Sequence, residues 1–413
     1  MEFKKTKLGV IPSNWEVKPI KEIAETVTDY VANGSFASLA KNVTYKNEED
    51  VAVLIRLVDY NNRFQGGFVF IDEHAYQFLA KSKLFGDEII ISNVGANVGT
   101  VFRCPKLPYK MSLAPNSIMV KFNGNNDFYF HWLRSYNGQQ MLKSIVTGSA
   151  QPKFNKTNFK EMLAPVPPLE EQQKIAAILS ALDEKIATNR AINENLERQA
   201  QAFFQELFVD NADPEWAIGT INDLGAVVGG STPSKAKPEY YTETGIAWIT
   251  PKDLSVNKSK FISHGENDIT ELGLKNSSAT IMPEGTVLFS SRAPIGYIAV
   301  AAGEVATNQG FKSIVPKPEI GTAFVYYFLK HNLPIIEGMA SGSTFKEVSG
   351  STMKGVPAVI PDTDTIARFN DFCSPIFAQQ RILEEQNHSL AALRDNLLPK
   401  LMSGEIDVSA VQL

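Results

Sequence analysis

The sequence has few features of a disulfide-bonded, metal-binding or membrane protein. Its 413 residues include only two cysteines, Cys104 and Cys373, which lie far apart and outside any CxxC or Cys/His pattern. We therefore predict neither a disulfide framework nor a zinc site, and expect both thiols to be buried. No apolar run reaches the roughly 18 residues of a membrane span, so we expect a cytoplasmic protein without membrane contact.

Catalytic motifs are also missing. No Asn-Pro-Pro-aromatic or Asp-Pro-Pro-aromatic tetrapeptide, the loop that would hold an extruded adenine, occurs in the chain, and no Gly-x-Ser-x-Gly elbow is found. The segment 229–235 is glycine-rich but has no glycine directly before Lys235, as a phosphate loop requires. The five histidines show no metal-ligand spacing. We therefore predict a chain that is not an enzyme and that itself holds no cofactor or metal.

The charge balance is acidic overall but uneven along the chain. The net charge is -5, yet residues 1–165 carry 20 Lys and Arg against 15 Asp and Glu, while 166–210 carry 4 against 8. Nucleic-acid binding requires a local basic surface rather than a basic whole chain. The acidic total therefore does not exclude a nucleic-acid partner.

The chain contains one unit written twice. Residues 148–154 align with 342–348 at an offset of 194, and the same offset aligns 55–59 with 249–253. With small gaps, Trp15 also aligns with Trp216. A repeat of about half the chain predicts two domains on a common framework.

Each repeat has the same predicted order of elements. Short β-branched and aromatic runs, separated by Gly, Asn and Pro turns, predict strands over 53–58, 88–92 and 286–290. Apolar residues at helical spacing predict helices over 128–144 and 322–337. Each globular part is therefore predicted to be mixed α/β.

Two long heptad patterns follow the globular parts. In the first, the a/d positions are Leu179, Ile186, Asn193, Ala200 and Leu207 with Leu182, Asn189, Leu196 and Phe203; in the second, they are Cys373, Gln380, Asn387, Arg394 and Leu401 with Ile376, Leu383, Leu390 and Leu397. Pro375 predicts that the second helix begins close to it. Long helices with narrow apolar stripes must pack on a partner, so we expect them to pack on each other. Asn189, Asn193 and Asn387 either fix the register of this seam or mark exposed positions of a frayed heptad.

This arrangement resembles the specificity subunits of type I restriction-modification systems. The resemblance covers nearly the whole chain and rests on 166–176 (VPPLEEQQKIA), 182–186 (LDEKI), 393–406 (LRDNLLPKLMSGEI) and the opening 8–15 (LGVIPSNW). The segment that leads from the second globular part into its long helix, 361–364 (PDTD), is called the second exit here. It lacks the PPLEEQ run of 167–172, so docking of partner subunits at the second helix is expected to be less regular.

The resemblance implies two target-recognition domains, 1–166 and 211–361, and two antiparallel coiled-coil spacer helices, 167–210 and 362–413 with the C-terminal tail. Each domain would read one half of a split, asymmetric site on double-stranded DNA. The helices would recruit two methyltransferase subunits and, through them, restriction and translocase subunits. S-adenosylmethionine, ATP and Mg²⁺ would then be bound by those partners.

Candidate DNA contacts are the polar and basic side chains of the predicted loops, because Arg suits guanine edges, Asn and Gln suit adenine edges and Lys suits phosphates. Asn, Gly and Ser also dominate ordinary turns, so each side chain has a structural interpretation too. The candidates are Asn61, Asn62, Arg63, Ser92, Asn93, Asn97, Gln151, Lys153 and Asn155 in the first domain, and Ser231, Thr232, Ser234, Lys235, Lys237, Arg292, Asn308, Gln309, Thr344 and Lys346 in the second.

Two other functions compete with DNA reading by a non-catalytic subunit. A self-sufficient DNA enzyme is disfavoured because both halves share one framework and neither has a nucleotide or metal motif. A coiled-coil adaptor whose globular ends bind proteins remains the alternative. Loss of one bipartite adenine modification in cells that lack the gene would distinguish the DNA reader from the adaptor.

Overall fold

The computed structural model describes residues 2–342 and 346–412. The chain divides into two compact units. Unit 1 comprises Met1–Lys185 and Leu390–Leu413, and unit 2 comprises Ile186–Ser389. Both divisions fall inside long helices, so each unit contains a globular part and a stretch of both helices.

Unit 1 has two four-stranded sheets and several short helices. Its strands are β1 Phe3–Thr6, β2 Gly9–Pro12, β3 Glu16–Pro19, β4 Ala24–Asp29, β5 Ala52–Ile55, β6 Val69–Ile71, β7 Lys83–Leu84, β8 Ile89–Ser92, β9 Val101–Arg103, β10 Lys110–Leu113, β11 Ser117–Phe122 and β12 Leu163–Val166. Its helices are α1 Ile20–Ile23, α2 Phe36–Asn42, α3 Leu57–Asn61, α4 Glu73–Phe78, α5 Asn126–Arg134, α6 Tyr136–Ser144, α7 Lys156–Glu161 and the start of α8 Leu169–Gln205, with 3₁₀ turns at Tyr30–Asn33 and Ala80–Ser82.

Unit 2 begins within α8 and continues through a short π-helix at Glu206–Asp210. Its strands are β13 Ala217–Thr220, β14 Gly225–Gly229, β15 Tyr241–Thr242, β16 Ile246–Ile249, β17 Phe261–Ile262, β18 Asn267–Ile269, β19 Val287–Ser291, β20 Ile295–Ala301, β21 Ala306–Thr307, β22 Lys312–Pro316 and β23 Pro357–Ile360. Its helices are α9 Ile221–Leu224, α10 Pro251–Val256, α11 Glu271–Lys275, α12 Thr322–His331, α13 Leu333–Gly338, α14 Gly350–Lys354 and most of α15 Thr363–Met402, with a 3₁₀ turn at Pro238–Tyr240.

The globular parts of the two units share one framework, as the repeat predicts. The sheet order β4-β11-β8-β9 in unit 1 corresponds to β14-β22-β19-β20 in unit 2, where β17 adds a fifth strand. The second sheets correspond as well, because β5 pairs parallel with β10 and β16 pairs parallel with β21. A two-stranded ribbon, β12-β3 or β13-β23, lies beside the start of each following long helix. The predicted mixed α/β fold is confirmed.

Several predicted boundaries are wrong for local reasons. The strand predicted over 53–58 ends at Ile55, because the Asp59 carboxylate accepts the backbone N–H of Arg56 at 2.8 Å and starts α3 there. The helix predicted over 128–144 is two helices, since Ser135 ends α5 and its hydroxyl caps α6. The helix predicted over 322–337 is likewise divided, before Pro334 in the first turn of α13.

The two long helices pack on each other antiparallel within each unit. Asp183 of α8 contacts Arg394 of α15 in unit 1, at 2.7 Å. Asn193 of α8 contacts Gln380 of α15 in unit 2, at 3.4 Å. All nine predicted a/d positions of the first heptad are buried or half-buried, eight of them in α8 and Leu207 just after it. The start predicted near Pro375 is wrong: α15 begins at Thr363 and continues through the proline, in a stretch where buried Phe369 and Cys373 hold the helix against the core.

The asparagines of the seam lie inside it rather than at a frayed surface. Asn189 is fully buried, and its Nδ2 donates to Asn387 Oδ1 at 3.1 Å and to Gln386 Oε1 at 3.3 Å. Asn193 Nδ2 donates to the Gln380 carbonyl. Among the described residues the Oδ1 atoms of Asn189 and Asn193 have no hydrogen-bond partner. Such polar pairs constrain register at a cost in stability, and that role stays a prediction.

Both long helices start in the same way despite their different sequences. In unit 1 the Trp15 indole donates to the Glu171 carboxylate at 2.7 Å. In unit 2 the Trp216 indole donates to Asp362 at 3.1 Å, and Asp362 also caps α15 by accepting the Thr365 N–H at 2.8 Å. The second exit therefore keeps a carboxylate for its tryptophan although it lacks the PPLEEQ run.

An ionic cluster ties the globular part of unit 1 to the helices. Asp183 accepts hydrogen bonds from Arg394 at 2.7 Å and from Arg134 of α5 at 3.2 Å. His131 of α5 is buried, with Nε2 3.1 Å from the Ser180 hydroxyl of α8. Burial lowers the pKa of His131 to about 4, against the opposing effect of Asp183. The imidazole is thus held neutral at pH 7.

This depressed pKa predicts a stability loss in mild acid. Between about pH 6.5 and 4 the unfolded chain binds a proton that folded His131 does not, so stability falls as the pH falls through that window. The size is about 3 kcal/mol for one histidine. His131→Gln should remove this component, measured as the difference between urea unfolding free energies at pH 7 and pH 4.5. The control is His74→Gln, at an exposed histidine of the same unit. An unchanged pH dependence in His131→Gln would contradict the assignment.

An equivalent cluster in unit 2 is centred on Glu197 of α8. Its carboxylate contacts Lys260, Lys330 at 2.6 Å and the Tyr327 hydroxyl at 2.8 Å. Burial would raise the pKa of Glu197, but the two ammonium groups outweigh it and lower that pKa to about 2. Lys260 also donates to Gln380 of α15 at 2.6 Å. The cluster therefore joins both helices to the sheet and to α12.

Cys104 and Cys373 are both free and buried, as predicted, and burial raises the pKa of Cys373 to about 12. Over residues 2–342 and 346–412, no helix has the length and apolar character to cross a membrane. Within the same residues, no group of His, Cys, Asp and Glu is arranged to hold a metal ion.

Candidate nucleic-acid interface

Two loops of unit 1 that carry predicted contacts pack on each other. The first loop, 93–99, follows β8, and the second, 147–155, is a tight hairpin before α7. Gly95 N donates to the Pro152 carbonyl at 2.8 Å, and Phe154 N donates to the Asn93 carbonyl at 3.1 Å. Thr147 and Lys153 close the hairpin with two backbone hydrogen bonds of 2.8 and 2.9 Å. We call 93–99 and 147–155 the loop pair of unit 1.

The loop pair brings five predicted residues together and gives them different surroundings. Asn97, Gln151 and Lys153 are exposed, and Lys153 makes no ion pair within the described part of the chain. Asn155 is also exposed, but its Oδ1 accepts the Asn158 N–H at 2.7 Å and caps α7. Asn93 donates its side-chain amide to the Phe154 carbonyl at 2.9 Å. Asn93 therefore supports the loop pair, and the three exposed side chains remain available to a ligand.

Ser92 and the turn 61–63 lie elsewhere in unit 1. Ser92 is the last residue of β8 and is buried, so its hydroxyl faces the interior. Asn61 ends α3, which follows β5 of the other sheet. Asn62 Nδ2 donates to the Gly66 carbonyl at 3.3 Å, and Arg63 has φ +51°. All three side chains of this turn are exposed.

Unit 2 contains the counterpart of the loop pair. The backbone of Glu347 forms isolated β-bridges with Arg292 and with Ser341. These β-bridges correspond to the Val94–Lys153 and Thr147–Lys153 β-bridges of unit 1. The Arg292 guanidinium lies 3.6 Å from the Glu347 carboxylate. Lys346 is exposed, whereas Thr344 falls outside the described residues. Unit 2 therefore uses the same backbone arrangement with different side chains.

Sequence reasoning missed two residues beside Arg292. Lys312 Nζ lies 3.4 Å from both the Glu347 carboxylate and the Ser291 hydroxyl. Glu347 thus balances two cations at this surface. The repeat contained a signal for Glu347, because the 194-residue offset aligns it with Lys153. No comparable signal marked Lys312, which is a strand residue of β22 and not a loop residue.

The remaining candidates of unit 2 form a second polar group. Ser231 N donates to the Thr307 carbonyl at 2.9 Å, and the Thr232 hydroxyl donates to the Gln309 side chain. Asn308 Oδ1 accepts the Gly310 N–H at 2.8 Å, so it shapes its own turn. Ser234, Lys235 and Lys237 of the 231–237 segment are exposed, with the Lys237 ammonium 3.7 Å from the Glu239 carboxylate.

Lys312 joins this polar group to the unit 2 loops. Its ammonium lies 3.5 Å from the Gln309 carbonyl as well as near Glu347. The structure therefore brings Thr232, Gln309, Lys312, Glu347 and Arg292 into one connected surface. Cations, amides and hydroxyls in such a surface match the hydrogen-bonding groups of phosphates and base edges.

Comparison with known proteins gives consistent matches. The family model described as the type I restriction modification DNA specificity domain matches residues 12–198 and 214–390. The chain is 39% identical over 191 residues to the type I restriction enzyme MjaIX specificity subunit of Methanocaldococcus jannaschii, a match that covers 44% of each chain and so spans less than half of that relative. It is 22% identical to the putative MjaX specificity subunit of the same organism, over 98% of this chain and 97% of the relative.

A solved structure has a similar fold. The S subunit of a type I restriction-modification system from M. genitalium aligns with a TM-score of 0.60 and 17% identity, over 94% of this chain and 96% of that chain. At this identity the likeness concerns the fold alone. Two mixed α/β domains with long helices are thus an architecture that this chain and that structure share.

Proposed function

Because the chain belongs to the type I restriction-modification DNA specificity domain family, we propose that it is the non-catalytic, DNA-reading subunit of such a complex. Unit 1 and unit 2 each read one half of a bipartite site. The observation that carries the proposal is the recurrence of one loop arrangement with changed side chains. Lys153 in unit 1 corresponds to Glu347 in unit 2, so two related readers present different chemistry to DNA.

The different side chains account for an asymmetric site. Two identical readers would favour a palindrome, whereas two readers on a common framework with different loops favour two unlike half-sites. In unit 1 the contacts are assigned to Asn97, Gln151 and Lys153, with the turn 61–63. In unit 2 the contacts are assigned to Arg292, Gln309 and the exposed lysines of 231–237. Lys312, which the sequence did not indicate, is added to them.

The long helices serve as the spacer and as the assembly surface. Half-sites about one helical turn apart are separated by roughly 34–36 Å, a distance suited to a rigid helical pair. The proposed partners are two methyltransferase subunits, with restriction and translocase subunits joined through them. S-adenosylmethionine, ATP and Mg²⁺ are proposed to bind those partners. The curated relatives are named as specificity subunits of type I restriction enzymes, which supports this division of labour.

Two measurements test the function. Deletion of the gene should abolish adenine modification at one bipartite motif in the methylome, and the plasmid-borne gene should restore it. The complex of this chain with its methyltransferase subunits should bind that motif with an affinity that falls at least about a thousand-fold between 50 and 200 mM salt, as six or more phosphate contacts require. An unchanged methylome would favour the protein-binding adaptor. Methylation or cleavage by the isolated chain would overturn the non-catalytic assignment.

A further inference from the structure

An apolar cleft lies beside the loop pair of unit 1. It has a volume of about 590 Å³, and its wall includes Asn93 and Val94 of the loop pair. The wall also includes Phe36, Leu39 and Tyr45, from α2 and the segment after it. None of these three residues is a candidate contact predicted from the sequence.

The rim of the cleft exposes large apolar side chains to solvent. Phe36 is 81% exposed, and Tyr45 and Val31 are 53% and 44% exposed. Single exposed apolar residues are common, but several around one concavity indicate a binding surface. The one carboxylate in the wall, Asp29, is already paired with Lys156 at 2.9 Å. The cleft therefore favours an apolar group over a phosphate.

The common framework places this cleft where unit 2 carries candidate DNA contacts. In unit 2 the strand β14 leads into the 231–237 segment, and β21 leads into the turn with Gln309. The corresponding strands of unit 1 are β4, which leads into α2, and β10, which leads into the turn 114–116. Unit 1 thus presents an aromatic, apolar surface where unit 2 presents hydroxyl, amide and lysine groups.

We infer that this cleft reads a thymine through its 5-methyl group, with Phe36 as the specificity-determining side chain. The inference rests on the proposed function and names a base that unit 1 recognises. The thymine methyl is the apolar group among the base-edge features of the major groove, where the other features are hydrogen-bond donors and acceptors. The cleft borders the loop pair through Asn93 and Val94. Its apolar rim can therefore accept this methyl while Asn97 and Gln151 of the same loop pair contact polar edges.

The test replaces each thymine of the bipartite site, one at a time, with uracil, which lacks only the methyl group. The complex of the chain with its methyltransferase subunits should bind one of these duplexes about four-fold more weakly, the factor expected for removing one buried methyl group. Phe36→Ala should bind the thymine and uracil forms of that position equally. At every other thymine position, the ratio of the affinities for the thymine and uracil duplexes should be the same for the unaltered complex and for Phe36→Ala.

The matched control is Phe85→Ala, which removes an equally large, 76% exposed phenyl group of unit 1 outside the cleft and should keep the discrimination. Thermal melting of Phe36→Ala confirms folding. The inference is overturned if no uracil substitution weakens binding, if the site has no thymine, or if Phe36→Ala still discriminates. It is also overturned if Phe36→Ala weakens methyltransferase binding without DNA, which would make the cleft a protein contact. Absence of any sequence-specific binding by the unaltered complex would instead refute the proposed function.

Discussion

Glu197→Ala is expected to destabilise unit 2 by about 3–5 kcal/mol, the cost of removing one partner from a buried ion pair. The substitution leaves Lys260, whose side chain is 6% exposed, without its carboxylate. Lys330 and the Tyr327 hydroxyl lose the same acceptor. The loss should appear as a lower midpoint and a lower free energy in urea unfolding followed by far-UV circular dichroism.

The size of this effect follows from the position of the cluster. Lys260 precedes β17 and contacts Gln380 of α15, while Glu197 lies on α8. Glu384 of α15 completes the arrangement by accepting the backbone N–H groups of Lys260 and Phe261 at 2.8 and 3.0 Å. Removing the Glu197 carboxylate therefore removes three attachments of the globular part of unit 2 to α8, namely those of Lys260, Lys330 and Tyr327.

Two variants separate this explanation from a general effect of mutating α8. Glu184→Ala changes an exposed carboxylate of the same helix and should alter stability by less than about 0.5 kcal/mol. Replacing both members of the pair, Glu197→Leu with Lys260→Met, should restore part of the stability, because no unpaired charge remains buried. Equal destabilisation by Glu197→Ala and Glu184→Ala would show that the Glu197 cluster contributes no more to the free energy of unfolding than an exposed carboxylate of α8.

The pH dependence gives an independent check on Glu197. Its folded pKa of about 2 is below the ordinary value of 4.5, so its contribution is complete above pH 4.5 and is lost as the pH falls toward 2. Glu197→Gln should lack this component of the acid transition. An acid transition of unchanged size in Glu197→Gln would contradict the depressed pKa.

The long-range features of the fold were the most predictable from the sequence. The repeat at offset 194 predicted the common framework because both copies preserve apolar and turn positions. The heptads predicted the packed helices because an a/d stripe has few ways to be buried. The start of α15 was mispredicted because tertiary burial around Phe369 and Cys373 outweighed the local cost of Pro375.

The candidate interface was less predictable, since its chemistry depends on partners distant in sequence. Ser92 ends the strand predicted over 88–92 and adjoins a predicted loop, but its side chain is buried at the end of β8. Asn93 resembles a base-reading side chain until its amide is found donating to Phe154, 61 residues away. The role proposed for Phe36 had no signal in the sequence, because an exposed phenylalanine indicates nothing without the cleft around it. Residue type alone does not distinguish a polar side chain that supports a loop from one that is free to contact DNA.

The proposed spacer role of the long helices leads to the second large effect. A matched heptad can be removed from each helix by deleting 184–190 from α8 and 386–392 from α15. The deletion leaves the contacts Asp183–Arg394 and Asn193–Gln380 on either side of it. It also leaves Glu197 and Glu384 in place, so both ionic clusters that attach the globular parts are retained.

Modification of the parental site by this double deletion should fall to background. Seven residues shorten a helix by about 10.5 Å, which is about three base pairs of duplex. Deleting one heptad rotates the two flanking parts of a helix by only about 20° relative to each other. Three base pairs, in contrast, rotate the duplex by about three tenths of a revolution. The two readers then no longer face the parental half-sites together. Methylome sequencing should show loss of the motif, and any residual motif should keep both half-sites with a different gap.

A control of unchanged length isolates the spacing effect. Alanine at exposed Lys185, Arg190 and His388 alters the same stretch without shortening it and should leave the motif and its gap intact. Thermal melting and co-purification with the methyltransferase subunits establish that the deletion variant folds and assembles. If that variant assembles and still modifies the parental motif at the parental gap, the helices do not set the distance between half-sites, and the DNA contacts must be positioned by the partner subunits instead.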